Sequence, residues 1–258
     1  MSKLTQARTF QETEGFFVKQ FADKPSYLAE LNALRELSGT GVTPEILEYN
    51  DSKRILRIAD AGITLRSLRV DLDHSFSMQQ VRRLASGLCE SLATLHAANF
   101  CHYDVKEDNI CIQGEVREDG SYDLDQDFKV KLIDFGLSFR IDDIPQHYFT
   151  NTKLGTPVCR SPEHIQALPQ FGKAADVFCA AATIVQIIDG SSEAFPLSLG
   201  NPARQILTAQ ERVELKQDMI STSGEIVPKD LQMALFAMLH PDPNDRPRSE
   251  TCYYLLAT

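Results

Sequence analysis

Hydrophobic positions along the chain change period several times, and each change marks an element. In Phe16-Phe17-Val18-Lys19-Gln20-Phe21, alternation places Phe17, Lys19 and Phe21 on one face of a strand. Thr9 and Phe10 end an opposing arm, and Gln11–Gly15 form the turn of a single hairpin over residues 3–21. A helix opens near Pro25, a residue suited to a first helical turn, and runs through Leu37 until Gly39 stops it. Thr43–Leu47 and Arg54–Ile58 read as two further strands, followed by the small residues Ala59–Gly62. Ser77 and Gln80 make a capping box, and Val81, Leu84, Leu88, Leu92 and Leu95 follow at helical spacing. Ile110-Cys111-Ile112 is a short strand, and residues 174–189 are apolar nearly all round, which predicts a buried helix. Asn201 and Pro202 supply a cap and a first-turn proline for another helix, and Leu231, Ala234, Leu235, Met238 and Leu239 form one more helical stripe.

Composition narrows the class. With 258 residues, 43% of them hydrophobic and 24% charged, the chain can bury a substantial core. A formal net charge of −10 disfavours nonspecific binding to nucleic acid or to an anionic membrane surface. Cys89, Cys101, Cys111, Cys159, Cys179 and Cys252 show no C-x-x-C pair and no metal-ligand spacing, and several sit in apolar runs. They read as reduced thiols, which points to a cytoplasmic setting. No apolar signal region opens the chain, and the longest apolar run, near 177–188, is too short for a bilayer. Residues 114–127 form an acidic insert with Asp123, Asp125 and Asp127 alternating. Phe128 stands where a Ca²⁺ loop needs glycine, so the insert reads as a solvated hairpin tip.

The chemistry concentrates in two stretches. His102-Tyr103-Asp104-Val105-Lys106-Glu107-Asp108-Asn109 reads H-x-D-x-K-x-x-N, and Leu132-Ile133-Asp134-Phe135-Gly136 is a hydrophobic strand ending in D-F-G. In that order and at that spacing they resemble the catalytic loop and metal-binding turn of the protein kinase family. Gly155-Thr156-Pro157 followed by Ser161-Pro162-Glu163 is similar to the family's G-T-x-x-x-x-[AS]-P-E segment, and Asp242-Pro243-Asn244-Asp245-Arg246-Pro247 to its closing D-P-x-x-R-P. The likeness covers roughly residues 16–250.

The resemblance implies an α+β, bilobal fold: a small β-rich lobe with one helix over about residues 1–58, a hinge at about 59–62, and a larger, mainly helical lobe from about 63 to 258. It implies ATP and Mg²⁺ as cofactors and a protein or peptide as substrate, with transfer to Ser or Thr hydroxyls. Asp104 would accept the substrate proton, Lys106 would offset phosphate charge, and Asn109 and Asp134 would hold Mg²⁺. Lys19 would touch the α- and β-phosphates and pair with Glu30. Cys111 would form the floor under adenine, with Ile133 a further nucleotide contact and Ile58 or a neighbour at the back of the pocket. Thr156 would tie the substrate-binding segment to Asp104 and Lys106. Asp176 would accept hydrogen bonds from the catalytic-loop backbone, His96 would be structural, and Arg246 would pair with Glu163.

Two departures from the family pattern carry expectations of their own. Gly15 is the sole glycine before Lys19, so a G-x-G-x-x-G loop has no place, and the small lobe is expected to be short by about one strand. Weak nucleotide binding, tightened by an activating protein partner on the Lys19–Glu30 side, follows from that. Tyr103 stands where many kinases carry the Arg that binds a phosphorylated activation loop, so Tyr148, Thr150 or Thr152, once phosphorylated, would find no such partner. Asp108, where basophilic kinases often carry Glu, sets an expectation of basic residues ahead of the acceptor hydroxyl. Two alternatives stay open on the residues alone: a pseudokinase scaffold, which the missing glycine loop favours, and a small-molecule kinase or kinase-like ATPase, which residues 155–163 disfavour.

Overall fold

The alternation around Lys19 is realised as an antiparallel sheet. The computed structural model describes residues 8–13, 15–143, 160–165, 172–190 and 219–257. Its first sheet contains β1 (Arg8–Thr13), β2 (Phe16–Gln20), β3 (Ile46–Asn50) and β4 (Ile55–Ala59), in the order β1-β2-β4-β3. β2 pairs antiparallel with β4, Phe17 opposite Ile58 and Lys19 opposite Leu56. Lys19, Phe21, Leu56 and Ile58 are all buried, so one face of the sheet is an interior surface that contains a lysine.

Two sequence boundaries move. The turn expected over Gln11–Gly15 is shorter, because β1 continues through Thr13, with a bulge between Gln11 and Thr13 that keeps the ladder paired. Gly15, at φ 97°, supplies the left-handed residue of the turn. The strand expected over 43–47 instead runs over Ile46–Asn50, beyond Pro44, which has no N–H to give a ladder.

α1 (Lys24–Glu36) begins where Asp23 accepts the Ser26 N–H at 2.8 Å, with Pro25 in the first turn. Its buried face carries Tyr27, Leu31, Ala33 and Leu34, and also Glu30, an acid in an apolar stripe. After β4, Asp60–Gly62 lead into β5 (Ile63–Thr64), which joins β7 (Ile110–Gln113) and β8 (Lys129–Leu132) in a three-stranded sheet. Gly62 passes so close to β7 that a Cβ there would lie 2.1 Å from the Ile112 carbonyl oxygen. A short pair, β6 (Phe100–Cys101) with β9 (Phe139–Arg140), closes the other side. The acidic insert is a hairpin tip as expected: Arg117 donates to Asp123 at 2.8 Å, and Val116 and Tyr122 form a bridge.

Below the sheets the chain is helical. α2 (Met78–Ala97) starts with the reciprocal Ser77–Gln80 box, at 3.2 and 3.1 Å, and buries Val81, Leu84, Leu88, Leu92 and Leu95. A single turn, α3 (Pro162–Ile165), precedes α4 (Lys173–Asp189), which is buried along nearly its whole length. α5 (Lys229–Met238) and α6 (Ser249–Leu256) complete the described helices, and α2 packs against both α4 and α6. Cys89, Cys101, Cys111, Cys179 and Cys252 are buried thiols. Cys159 and the helix start expected at Asn201–Pro202 lie outside the described residues.

Arg246 locks the base of this region. Its guanidinium donates to both Glu163 oxygens at 2.7 and 2.8 Å, and to the carbonyls of His240, Ala174 and Pro241 at 2.7, 2.8 and 3.2 Å. Both partners are buried, so removing one strands the other's charge in a low-dielectric interior. Glu163→Ala is expected to cost about 3–5 kcal/mol, and replacing both partners by apolar residues of similar volume should cost less. Urea unfolding of the two variants checks this; a single variant as stable as the wild type would show that the pair does not hold the fold.

Candidate active site

The loop from His102 to Asn109 hangs from a carboxylate. Asp176, fully buried near the start of α4, accepts the backbone N–H of His102 and of Tyr103, each at 2.8 Å. His96 on α2 donates Nε2–H to the same carboxylate at 3.0 Å and is fixed through Nδ1 to Ser249 at 2.9 Å. Burial opposes the Asp176 charge, but the His96 ring and the loop N–H groups hold its carboxyl below the usual range. His96 is therefore structural, as its sequence position implied. His96, Cys101 and Asp176 lie within 4.8 Å of one another, yet burial pushes the Cys101 thiol well up, away from the thiolate a metal would need. The His96–Asp176 pair is a hydrogen-bonded anchor, with Cys101 packed beside it.

Below that anchor the loop folds its polar groups together. Lys106 Nζ lies 2.7 Å from Asp104 Oδ2. Asn109 Nδ2 donates to the Asp104 carbonyl at 2.9 Å and to Oδ2 at 3.1 Å. Both contacts use the amide nitrogen, which leaves the Asn109 oxygen to act as a ligand. The His102 ring packs on Phe135 at 4.8 Å and contacts the Ile133 carbonyl at 3.0 Å, joining the loop to the D-F-G turn.

Asp134 itself is left-handed, at φ 64° and ψ 69°, a conformation rare for a non-glycine residue and one to which Asp is among the better adapted. Its Oδ1 lies 3.3 Å from Lys19 Nζ, while Lys19 meets the two Glu30 oxygens at 2.7 and 2.8 Å. Burial works against the Lys19 ammonium, but Glu30 and Asp134 more than offset it, so its pKa rises. Burial also pushes Glu30 up, to about 7, against the pull of Lys19. With both carboxylate oxygens on one ammonium, the charged pair is the form this geometry serves. Burial opposes the Asp134 charge too, but Lys19 keeps its carboxyl lowered.

The structure thus gathers Lys19, Glu30 and Asp134 in one contact chain, and Asp104, Lys106 and Asn109 in another. The fields of His102 and Lys106 reach Asp134 from the second group. Cys111 is buried on β7, its thiol pushed by burial to about 12, so it is a neutral apolar surface. Ile133 is half-buried between β8 and Asp134, its N–H on the Asn109 carbonyl at 3.0 Å. Thr156 lies outside the described residues.

Sequence reading missed two ion pairs beside this loop. Arg69, in a helical turn over Ser67–Asp71, grips Glu107 bidentately at 2.8 and 2.7 Å and is well shielded from water. Arg66 lies 3.6 Å from Asp108 on a half-exposed surface. Partners thirty-eight residues apart leave no periodic trace, and the run Arg66-Ser67-Leu68-Arg69 offered the only cue.

A small sheet with one helix thus stands over a mainly helical body, and a strand lysine, a helix glutamate and an aspartate meet at the junction. The protein kinase domain profile matches residues 18–254, and the chain belongs to that family. It is 26% identical over 235 residues to the serine/threonine-protein kinase AfsK of Streptomyces griseus, covering 85% of this chain and 27% of that protein. Against the serine/threonine-protein kinase PkaB of Streptomyces coelicolor it is 24% identical over 206 residues, 79% of this chain and 45% of the other. Mouse serine/threonine-protein kinase PAK 4 is 28% identical over 118 residues, 45% of this chain and 17% of that protein. The chain therefore spans less than half the length of these relatives. Among the described residues, no helix is long and apolar enough to cross a membrane.

The Asp176 anchor makes a measurable prediction. Asp176→Ala leaves two buried N–H groups and an imidazole without their acceptor, so a loss of about 3 kcal/mol or more is expected. A depressed folded pKa adds stability that is fully present above the unfolded carboxyl value, near pH 3.9, and that is lost as pH falls through the lower folded value. Urea unfolding from pH 7 to pH 3 should show the gap between wild type and variant constant at first and narrowing only below about pH 4. A gap that narrows between pH 7 and 5 would contradict a depressed pKa at this site.

Proposed function

We propose that the chain is a serine/threonine protein kinase, transferring the γ-phosphoryl group of ATP to Ser or Thr hydroxyls of a protein substrate. The observation that carries this reading is the meeting of the Lys19–Glu30–Asp134 network with the Asp104–Lys106–Asn109 cluster, each group of the right chemical type. In this reading residues 1–258 act as one catalytic domain, with a small lobe to about 58, a connection over 59–62 and a large lobe beyond.

Asp104 receives the proton of the attacking hydroxyl, and Lys106, 2.7 Å from it, faces the transferring phosphate and offsets its charge. Lys19, held protonated by Glu30, binds the α- and β-phosphates. Cys111 and Ile133 supply the apolar surface under the adenine, and Thr156, outside the described residues, is assigned by the family resemblance the role of tying the substrate segment to Asp104. A hard cation fits the donor set, because the Asp134 carboxylate and the Asn109 amide oxygen are oxygen ligands of the kind Mg²⁺ prefers. Bound there, Mg²⁺ would neutralise charge on the β- and γ-oxygens. The partners expected are a protein or peptide substrate and an activating protein on the Lys19–Glu30 side, with neither nucleic acid nor membrane, and the setting is cytoplasmic. A preference for basic residues ahead of the acceptor hydroxyl rests on Asp108, which lies 3.6 Å from Arg66 on a half-exposed surface, and on the net charge of −10.

Incubation with labelled Mg-ATP and a degenerate peptide library tests the reading. Asp134→Asn is expected to abolish transfer with an unchanged circular dichroism spectrum. Asp104→Asn should lower kcat by at least about 100-fold while nucleotide binding survives. Nucleotide binding with no transfer to any Ser or Thr peptide would point to a scaffold, and near wild-type activity in Asp134→Asn would refute the metal assignment.

A further inference from the structure

Asp176 anchors the loop at its first two residues, His102 and Tyr103. The amide proposed to hold the metal stands at the other end, in a 3-10 turn over Glu107–Asn109. Asn109 has to present its oxygen there while Nδ2 stays on Asp104. A misplacement of about 1 Å can cost about 100-fold in rate, so this turn needs a hold of its own.

Glu107 supplies it. Its side chain is 7% exposed, and both carboxylate oxygens are taken by the Arg69 guanidinium, Nε at 2.8 Å and Nη2 at 2.7 Å. Two parallel bonds from a planar fork fix orientation as well as distance. The bonds to Glu107 raise the Arg69 pKa against burial, and Asp189 at the end of α4 adds to them. The neighbouring pair is different in kind. Arg66 and Asp108 lie 3.6 Å apart with side chains 52% and 51% exposed, where water screens the contact and leaves it little weight.

Arg69 is itself firmly placed. It lies in the turn over Ser67–Asp71, which the Leu72 N–H closes on the Ser67 carbonyl, five residues back, at 3.0 Å. Turns of this π type are rare and recur at functional sites. The start of the turn is tied to β5, because the Ser67 N–H donates to Thr64 Oγ1 at 3.1 Å. Thr64 pairs with Cys111 on β7, and β7 begins at Ile110, the residue after Asn109. Thr64, Ser67, Arg69, Glu107, Asn109 and Cys111 thus stand on one closed ring of bonds. Such a ring resists displacement at every member, and the Arg69–Glu107 fork is the link that closes it.

We infer that Arg69 is a positioning residue acting through Glu107: its fork holds the Glu107–Asn109 turn, and so keeps the Asn109 amide in register with Asp104. The inference deepens the kinase reading and rests on it for the activity arm of its test. Hydrogen exchange supplies an arm that needs no activity. Full chains of wild type, Arg69→Gln, Arg69→Lys, Glu107→Gln and the double glutamine variant are compared. Arg69→Gln and Glu107→Gln should each speed amide exchange over 107–110 about tenfold or more, while His102 and Tyr103 stay protected on Asp176. Arg69→Lys keeps the charge without the fork and should speed exchange there at least about threefold. The double variant should exchange no faster than the faster single one, because both changes break the same contact. In the transfer assay, each glutamine variant should raise the Mg²⁺ concentration for half-maximal rate about threefold or more, with the KM for peptide within about twofold.

Unchanged exchange over 107–110 in Arg69→Gln overturns the inference. Equal loss of protection at 102–103 also overturns it, since that marks a pair that only stabilises the fold. Additive effects in the double variant, or an active enzyme whose Mg²⁺ requirement neither variant moves, count against it in the same way. Should Arg69→Gln fail to fold, Arg69→Lys decides, and wild-type protection in that variant refutes the fork. A wild type that transfers no phosphate sinks the kinase reading, and the exchange result still judges Arg69.

Discussion

A carboxylate with no exposure to water organises the loop from His102 to Asn109. Asp176 sits in the first turn of a mostly apolar helix, and its oxygens accept two consecutive loop N–H groups and an imidazole N–H. Few arrangements fix a polypeptide bend so firmly, because the buried anion is tolerated only while every donor is in place. The loop cannot drift without exposing an uncompensated charge. Orientation of Asp104 and Lys106 is thus inherited from α4, the most deeply buried helix described.

The junction above it uses the same logic with opposite charge. Lys19 lies on a strand, Glu30 on a helix and Asp134 at a turn, and the ammonium is shared among them at 2.7, 2.8 and 3.3 Å. Burial penalises each of these charges separately; Glu30 and Asp134 hold the Lys19 ammonium and Lys19 keeps Asp134 lowered, while burial leaves Glu30 raised to about 7. A shift of α1 would break the contacts to Glu30 first, since both of its oxygens are committed to Lys19. The position of one helix therefore sets the electrostatics of the junction.

Much of this was legible in the sequence, for physical reasons. The Ser77–Gln80 box is a local signal and recurs in the structure as written, and Glu30 stands out as an acid on the apolar side of its helix. Arg246 and Glu163 were matched through motif resemblance, since they lie eighty-three residues apart and no local pattern joins them. Arg69 and Glu107 fall in the same physical class but outside any motif, so they stayed hidden. The slipped strand boundaries have another cause. Ladder pairing, a tertiary property, carried β1 through Thr13, and it began β3 only after Pro44, at Ile46.

Gly62 shows how the two parts of the molecule are joined mechanically. A glycine in a connector is commonly taken as a point of free rotation. Here its φ of 94° is left-handed, its N–H is capped by Asp60 at 2.8 Å, and any side chain at that position would collide with the Ile112 carbonyl. On the other side, the Asp60 N–H donates to the Gly15 carbonyl at 3.0 Å, so the connector is also stitched to the β1–β2 turn. The joint is a short pin held at both ends, so rocking of the sheet would load Gly15 and Ile112, the residues it touches there.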